Sequence, residues 1–321
     1  MNRQSIERAA ARLAPHVLNT PLIHSPWLSQ HSGATVWLKL ETAQHTGSFK
    51  ARGAMHALLA LRDRAPETDL VVTASAGNHG KALAWAGQQL GICVRAYAPA
   101  TVAEAKRGAI RAFGADLIET ADYDAAEAAA RDNAARTGVP YVSPYNDDDV
   151  IAGQGTIALE MLAAVPEIEV FVIAVGGGGL ISGCGIVAKD RAQPLGVIGA
   201  EAEASPVFTA ALHNGEITPV QVRPTLAEAL AGNLEPGSRT FPLVSHLIDG
   251  LALVAEGSIE VAMRVLHEQH GIVSEGAGAV ATAALLQGLG LAGRTVGLIV
   301  CGGNIDRAHF AAVTGATLAD A

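Results

Sequence analysis

Short apolar, β-branched runs alternate with longer amphipathic stretches from one end of this chain to the other. Residues 35–40, 70–73, 93–98, 169–175, 197–200 and 295–300 read as buried strands, because each is a brief, nearly continuous hydrophobic run bounded by polar or glycine-rich sequence. Between them, residues 49–61, 103–113, 124–137, 259–269 and 278–286 carry the three-to-four-residue spacing of helices. Strictly alternating strands and helices predict parallel sheets covered by helices on both faces. In such sheets the loops after the carboxyl ends of the strands converge on the ligand crevice. The segment Ser143-Pro-Tyr-Asn-Asp-Asp-Asp149 reads as a loop returning the chain from one domain to another.

Composition narrows the function classes. The chain has 321 residues, half of them hydrophobic and only 17% charged, which is globular composition with a sizeable buried core. A formal charge of −9 with no basic cluster excludes nucleic acid and anionic membrane as partners. The three cysteines, Cys93, Cys184 and Cys301, lack metal-type spacing and suit free thiols in a reducing, cytoplasmic setting. Arg3, Arg8 and Arg12 lie on an amphipathic first helix rather than a targeting segment. The uncharged stretch from 170 to 188 has four glycines in its middle, so it reads as strand plus loop, not a membrane span.

Four strand-to-loop junctions carry the candidate chemistry. In Thr46-Gly-Ser-Phe-Lys50-Ala-Arg-Gly a lysine starts a helix, where positive charge is disfavoured and a neutral, nucleophilic amine is favoured. For any single lysine a solvated surface position is the ordinary explanation. In Thr73-Ala-Ser-Ala-Gly-Asn-His-Gly80, Ser75, Ala76, Gly77, Asn78 and His79 offer backbone amides and short polar side chains that could cradle a carboxylate, with a capped turn as the ordinary alternative. In Val175-Gly-Gly-Gly-Gly-Leu-Ile-Ser182, Gly176, Gly177, Gly178 and Gly179 let backbone N–H groups approach a phosphate at a helix N-terminus. The fourth junction, Val300-Cys-Gly-Gly-Asn-Ile-Asp306, ends a strand in a thiol and two glycines. A competing reading of the glycine run is a dinucleotide site of a nicotinamide-dependent oxidoreductase, with Glu201 as the ribose acid. The spacing fails: counted from Gly176 or Gly177, the last glycine position is Ile181 or Ser182.

Taken in this order, the junctions resemble the fold-type II pyridoxal-phosphate enzymes, in particular the serine/threonine dehydratase and serine racemase group. The resemblance runs from Thr20-Pro-Leu to Asn304-Ile-Asp. It implies a tryptophan synthase β-like α/β fold with two open, twisted, mostly parallel sheets. A large cofactor-binding domain would be made of residues 1–50 and 146–321, a small substrate domain of 51–145, with no C-terminal regulatory domain and a homodimeric assembly. It implies pyridoxal 5′-phosphate held as a Schiff base on Lys50, with Phe49 against the ring, Asn78 at the phenolic oxygen and Gly176 to Gly179 around the phosphate. Glu275 in Glu275-Gly-Ala-Gly would line the ring and Cys301 would face the pyridine nitrogen, while residues 75–79 bind the substrate carboxylate. A thiol there makes the ring a weaker electron sink than an aspartate would, which suits elimination over transamination.

The expected activity is an ammonia-lyase converting L-threonine, L-serine or a related 3-hydroxy amino acid, such as 3-hydroxyaspartate or phenylserine, to a 2-oxo acid and ammonia. Lys50 would be the base for the α-proton. Racemases of the group have a serine where this chain has Ala76, and a methyl group carries no proton. A divalent cation is not expected either: Glu201 and Ser205 match two ligand positions, but the third is Val207. Relatives often have Ala-Asp-Gly where this chain reads Thr225-Leu-Ala-Glu-Ala-Leu-Ala-Gly, so Glu228 and Ala229 alter the side-chain pocket. Arg52 and Lys81, cations near helix starts, are expected to face solvent.

Overall fold

A computed structural model describes residues 1–317. The parallel runs pair into two sheets, and each expected strand is present to within two residues at its ends. Among the described residues nine strands form: β1 (Leu22–His24), β2 (Thr35–Leu40), β3 (Leu70–Ala74), β4 (Cys93–Pro99), β5 (Asp116–Thr120), β6 (Val170–Ala174), β7 (Gly196–Ala202), β8 (Gly250–Val254) and β9 (Thr295–Val300). The larger sheet has the order β1-β2-β9-β6-β7-β8 and is parallel except for the β1–β2 pair. The smaller, all-parallel sheet has the order β3-β4-β5. The strands β1, β5 and β8 are absent from the sequence reading: β1 has only three residues and β5 is largely polar, whereas β8 is an apolar Gly-Leu-Ala-Leu-Val run at the sheet edge that the reading passed over.

Thirteen α-helices of the described residues surround the sheets: α1 (Arg3–Leu13), α2 (Pro26–Ser32), α3 (Lys50–Arg64), α4 (Asn78–Leu90), α5 (Glu104–Arg111), α6 (Tyr123–Thr137), α7 (Asp148–Ala164), α8 (Gly179–Lys189), α9 (Val207–Asn214), α10 (Thr240–Leu247), α11 (Glu256–His270), α12 (Gly276–Leu286) and α13 (Arg307–Thr314). Among the described residues no helix is long and apolar enough to cross a membrane. The central strand β6 is buried at every position, which is why it reads as a continuous Val-Phe-Val-Ile-Ala run. Helices α8 and α12 pack against β6 and β7, whereas α3 lies between α4 and α7 and joins the two sheet systems. The 143–149 loop is shorter than its sequence suggests, because Asp147 caps α7 and accepts hydrogen bonds from the Asp149 and Val150 amides.

Two expectations are corrected by this packing. Arg52 does not face solvent: it is fully buried and donates to both carboxylate oxygens of Glu41 and to Glu160 at 2.6–2.8 Å. Lys81 is half-buried, and its Nζ donates to Asn304 Oδ1 at 2.8 Å. Glu201 also has a local task, since its carboxylate accepts from the Phe208 and Thr209 amides and the Thr209 hydroxyl at 2.7–3.0 Å. It thereby holds the first turn of α9.

Candidate active site

All four junctions lie at carboxyl ends of parallel strands and meet where the two sheets face each other. Strands β2 and β9 are neighbours with Leu40 opposite Val300, so the loop that carries Lys50 runs beside Cys301. Three links strap them together: Phe49 N–H donates to Cys301 O at 3.0 Å, Gly303 N–H donates to Gly47 O at 2.9 Å, and Ser48 bridges Gly302. Gly47 adopts φ +72°, a left-handed conformation open to glycine, and a Cβ on it would lie 2.6 Å from Asn304 Oδ1. The Glu275 segment closes over the same place: Glu275 N–H donates to Gly302 O at 3.1 Å, and a Cβ on Gly302 would meet the Glu275 carboxylate at 2.4 Å.

Lys50 is the first residue of α3. Its Nζ donates to the Pro144 carbonyl at 2.7 Å and lies 5.0 Å from the centre of the Phe49 ring. Burial brings its pKa down to about 8, against the opposing pull of Cys301 and Glu275. Burial also raises the Glu275 carboxyl to about 7, although the Asn78 amide donates to it at 2.6 Å. The Cys301 thiol is pushed up by burial and then by Glu275, so it keeps its proton; it points to Ala277 O at 3.4 Å. His79 is held neutral: burial and the nearby Lys50 charge lower it to about 3, and its Nε2 lies 3.3 Å from Val142 O.

On the facing sheet, Ser75 Oγ accepts from the Gly77 and Gly80 amides at 3.3 and 3.1 Å, shaping the turn that leads from β3 into α4. Ala76 is buried beside it. From β6 the chain passes through Gly176 to Gly179 into α8, with Gly178 at φ +83°. A Cβ would meet Leu230 at Gly176, the Tyr145 ring at Gly177 and the Phe208 ring at Gly178, at 2.3–2.9 Å, so the packing here admits only glycine. Every sequence-predicted site residue lies in or beside this cleft. Two participants had not been anticipated. Asn304 links Lys81 to Asn78, and its place directly after the glycine pair was the available signal. The Pro144 carbonyl is a backbone atom, and no side-chain pattern announces it.

The cleft fits pyridoxal phosphate on its own geometry. The glycine run at the start of α8 supplies unpaired N–H groups for a phosphate. Lys50 has a lowered pKa and, among the described residues, no carboxylate partner within hydrogen-bond distance. Around it Thr46 Oγ1, Ser48 Oγ, Ser274 Oγ and His79 Nδ1 are buried without hydrogen-bond partners among the described residues, polar atoms that a bound group would satisfy.

A two-sheet α/β fold with a half-buried lysine of lowered pKa at one strand end and a glycine run opening a helix at another fits a class: enzymes that bind a phosphorylated aldehyde cofactor through an amine. Residues 13–302 match the family model of pyridoxal-phosphate dependent enzymes, and the chain belongs to that family. It is 40% identical over 304 residues to an L-threonine ammonia-lyase of Thermotoga maritima, a match that covers 94% of this chain and 75% of that one. Among solved structures it resembles the processed form of threonine deaminase isoform 2 from Solanum lycopersicum, with TM-score 0.90 and 32% identity over 97% of this chain and 87% of that one. It also resembles maize serine racemase, with TM-score 0.89 and 32% identity over 95% and 94% of the two chains. Membership of this family removes the nicotinamide oxidoreductase reading of the glycine run.

Proposed function

We propose that this chain is a pyridoxal-phosphate dependent ammonia-lyase that converts L-threonine, L-serine or a related 3-hydroxy amino acid to a 2-oxo acid and ammonia. The observation that carries the reading is the Lys50 amine, brought to about 8 by burial and, among the described residues, hydrogen-bonded to the Pro144 carbonyl rather than to any carboxylate. Lys50, Phe49, Asn78, Gly176 to Gly179, Glu275 and Cys301 would hold the cofactor. When bound, pyridoxal phosphate supplies an electron sink for the charge left at the α-carbon. Lys50 is then the base that removes the α-proton, since an amine titrating near 8 is largely free to accept one at mildly alkaline pH. The amides at the start of α4, with Ser75, Asn78 and neutral His79, orient the substrate carboxylate. Cys301, whose thiol stays protonated, is a weaker partner for a ring nitrogen than a carboxylate, which favours loss of the β-hydroxyl over transamination.

Curated relatives named for threonine ammonia-lyase support the substrate class. A neighbour that is a serine racemase raises a second reading, and Ala76 argues against it: the family resemblance implies a serine base at this position in racemases, and the buried Ala76 methyl group carries no proton. Visible spectra of the purified holoenzyme, taken while L-threonine is added and 2-oxo acid is followed, test the proposal. The expected result is a cofactor band that shifts on mixing with release of oxo acid, both lost in Lys50→Ala with turnover down at least about 10³-fold. Oxo acid formed at an undiminished rate by Lys50→Ala would overturn the assignment. Ala76→Ser is expected to add a measurable D-enantiomer to residual serine; unchanged chirality would remove Ala76 from the account.

A further inference from the structure

Lys81 stands in the first turn of α4, the end of a helix where a cation is least favoured. It is half-buried, burial lowers its pKa, and among the described residues no carboxylate lies within ion-pair distance of its Nζ. Its hydrogen bond goes instead to a neutral side chain, Asn304 Oδ1, at 2.8 Å. A lysine so placed gains little for the fold, and the bonds beyond it show another use. Asn304 Nδ2 donates to Asn78 Oδ1 at 2.7 Å and to Thr46 O at 2.8 Å. Asn78 Nδ2 in turn donates to Glu275 Oε1 at 2.6 Å.

The polarity of this chain is fixed at Asn304 from two sides. The Lys81 ammonium only donates and the Thr46 carbonyl only accepts, so Asn304 turns its oxygen to Lys81 and its nitrogen to Thr46 and Asn78. Asn78 must then accept through its oxygen and turn its NH₂ toward Glu275 and the cleft. One hydrogen of that NH₂ meets Glu275, and the second is left for an acceptor. We propose that Lys81 is a positioning residue that acts through Asn304 to lock the Asn78 carboxamide with its nitrogen toward the cleft, so that Asn78 meets the cofactor's phenolic oxygen as a donor. The inference rests on the cofactor assignment above and goes beyond it, because Lys81 acts only through Asn304.

Equilibrium binding of pyridoxal phosphate to the apoenzyme, followed by absorbance, tests the relay in the wild type, Lys81→Met, Lys81→Gln and Asn304→Asp, with the melting temperature of each apo form as control. Lys81→Met removes the donor and is expected to weaken binding about tenfold without lowering the melting temperature. Lys81→Gln keeps a donor and is expected to stay within about threefold of wild type. Asn304→Asp keeps the Lys81 partner but cannot donate to Asn78, and is expected to bind at least as weakly as Lys81→Met. Wild-type affinity in Lys81→Met overturns the proposal, as does a Lys81→Gln variant as weak as Lys81→Met, which would make charge rather than donor polarity the agent. A wild-type protein that binds no pyridoxal phosphate would instead overturn the cofactor assignment itself.

Discussion

Two cations two residues apart on α3 meet opposite fates. Lys50 at the start of the helix is left without a carboxylate among the described residues, and burial makes it a base near 8. Arg52 is fully buried but ringed by Glu41 and Glu160, which keep it charged. The helix start predicted a lowered pKa at Lys50, and the structure lowers it through burial instead, while the expectation that cations at helix starts reach solvent misplaced Arg52. Its partners lie 11 and 108 positions away and only the fold brings them together. The pH dependence of cofactor loading follows from the first case. Condensation with an aldehyde needs the neutral amine, and a lowered pKa makes that form available from about pH 8 upward instead of above 10. The rate at which apoenzyme gains its cofactor band should therefore rise with pH through a midpoint near 8. A midpoint near that of free lysine would show that the amine is not enclosed as described.

At the scale of elements, glycine decides how closely helices approach. Helices α7 and α8 cross with Gly183 against Gly155, and a Cβ on Gly183 would lie 2.4 Å from Ile151 O and 2.6 Å from Gly155 N. Both obstacles are backbone, so the helices must separate or the chain must bend. Gly183→Ala is expected to cost about 1–3 kcal/mol in denaturant-induced unfolding of the apoenzyme. No loss would mean that the two helices are not packed backbone to backbone. Because α8 follows the glycine run and α7 braces α3, this crossing ties that run to the helix that begins at Lys50. The strands and helices themselves were readable from periodicity, while this spacing was not: Gly155 and Gly183 look like propensity defects until the helices are seen to touch.

In the whole molecule, two sheets must be held face to face without sealing the cleft. Glu235 is the clearest tie. It pairs with Arg131 of α6, on the small-sheet side, and accepts from Ser143 Oγ at 3.1 Å and Asn146 Nδ2 at 2.8 Å. A second cross-cleft pair, Lys106 of α5 with Glu228, is exposed on both sides. The two should differ in weight. Glu235→Ala strands the buried Ser143 hydroxyl and the half-buried Asn146 amide and is expected to lower apoenzyme stability by about 2 kcal/mol. Lys106→Ala breaks an exposed pair and should change it by less than about 1 kcal/mol. Equal losses in urea unfolding would mean that the sheets are not joined mainly through Glu235.

The sequence by itself determined the α/β alternation, the four strand-end junctions and the candidate groups they carry: a lysine at a helix start, a tetraglycine run, a Ser-Ala-Gly-Asn-His turn and a Cys-Gly-Gly strand end. These are local properties, written in hydrophobic period, turn chemistry and the backbone freedom of glycine. Tertiary structure alone decided which distant partners each group meets. It buried Arg52 between two glutamates, set Glu201 to hold a helix end, aimed Lys50 at the Pro144 carbonyl and linked Lys81 through Asn304 to Asn78. Such contacts depend on desolvation and on bonds between residues far apart along the chain, and neither quantity exists until the sheets have packed.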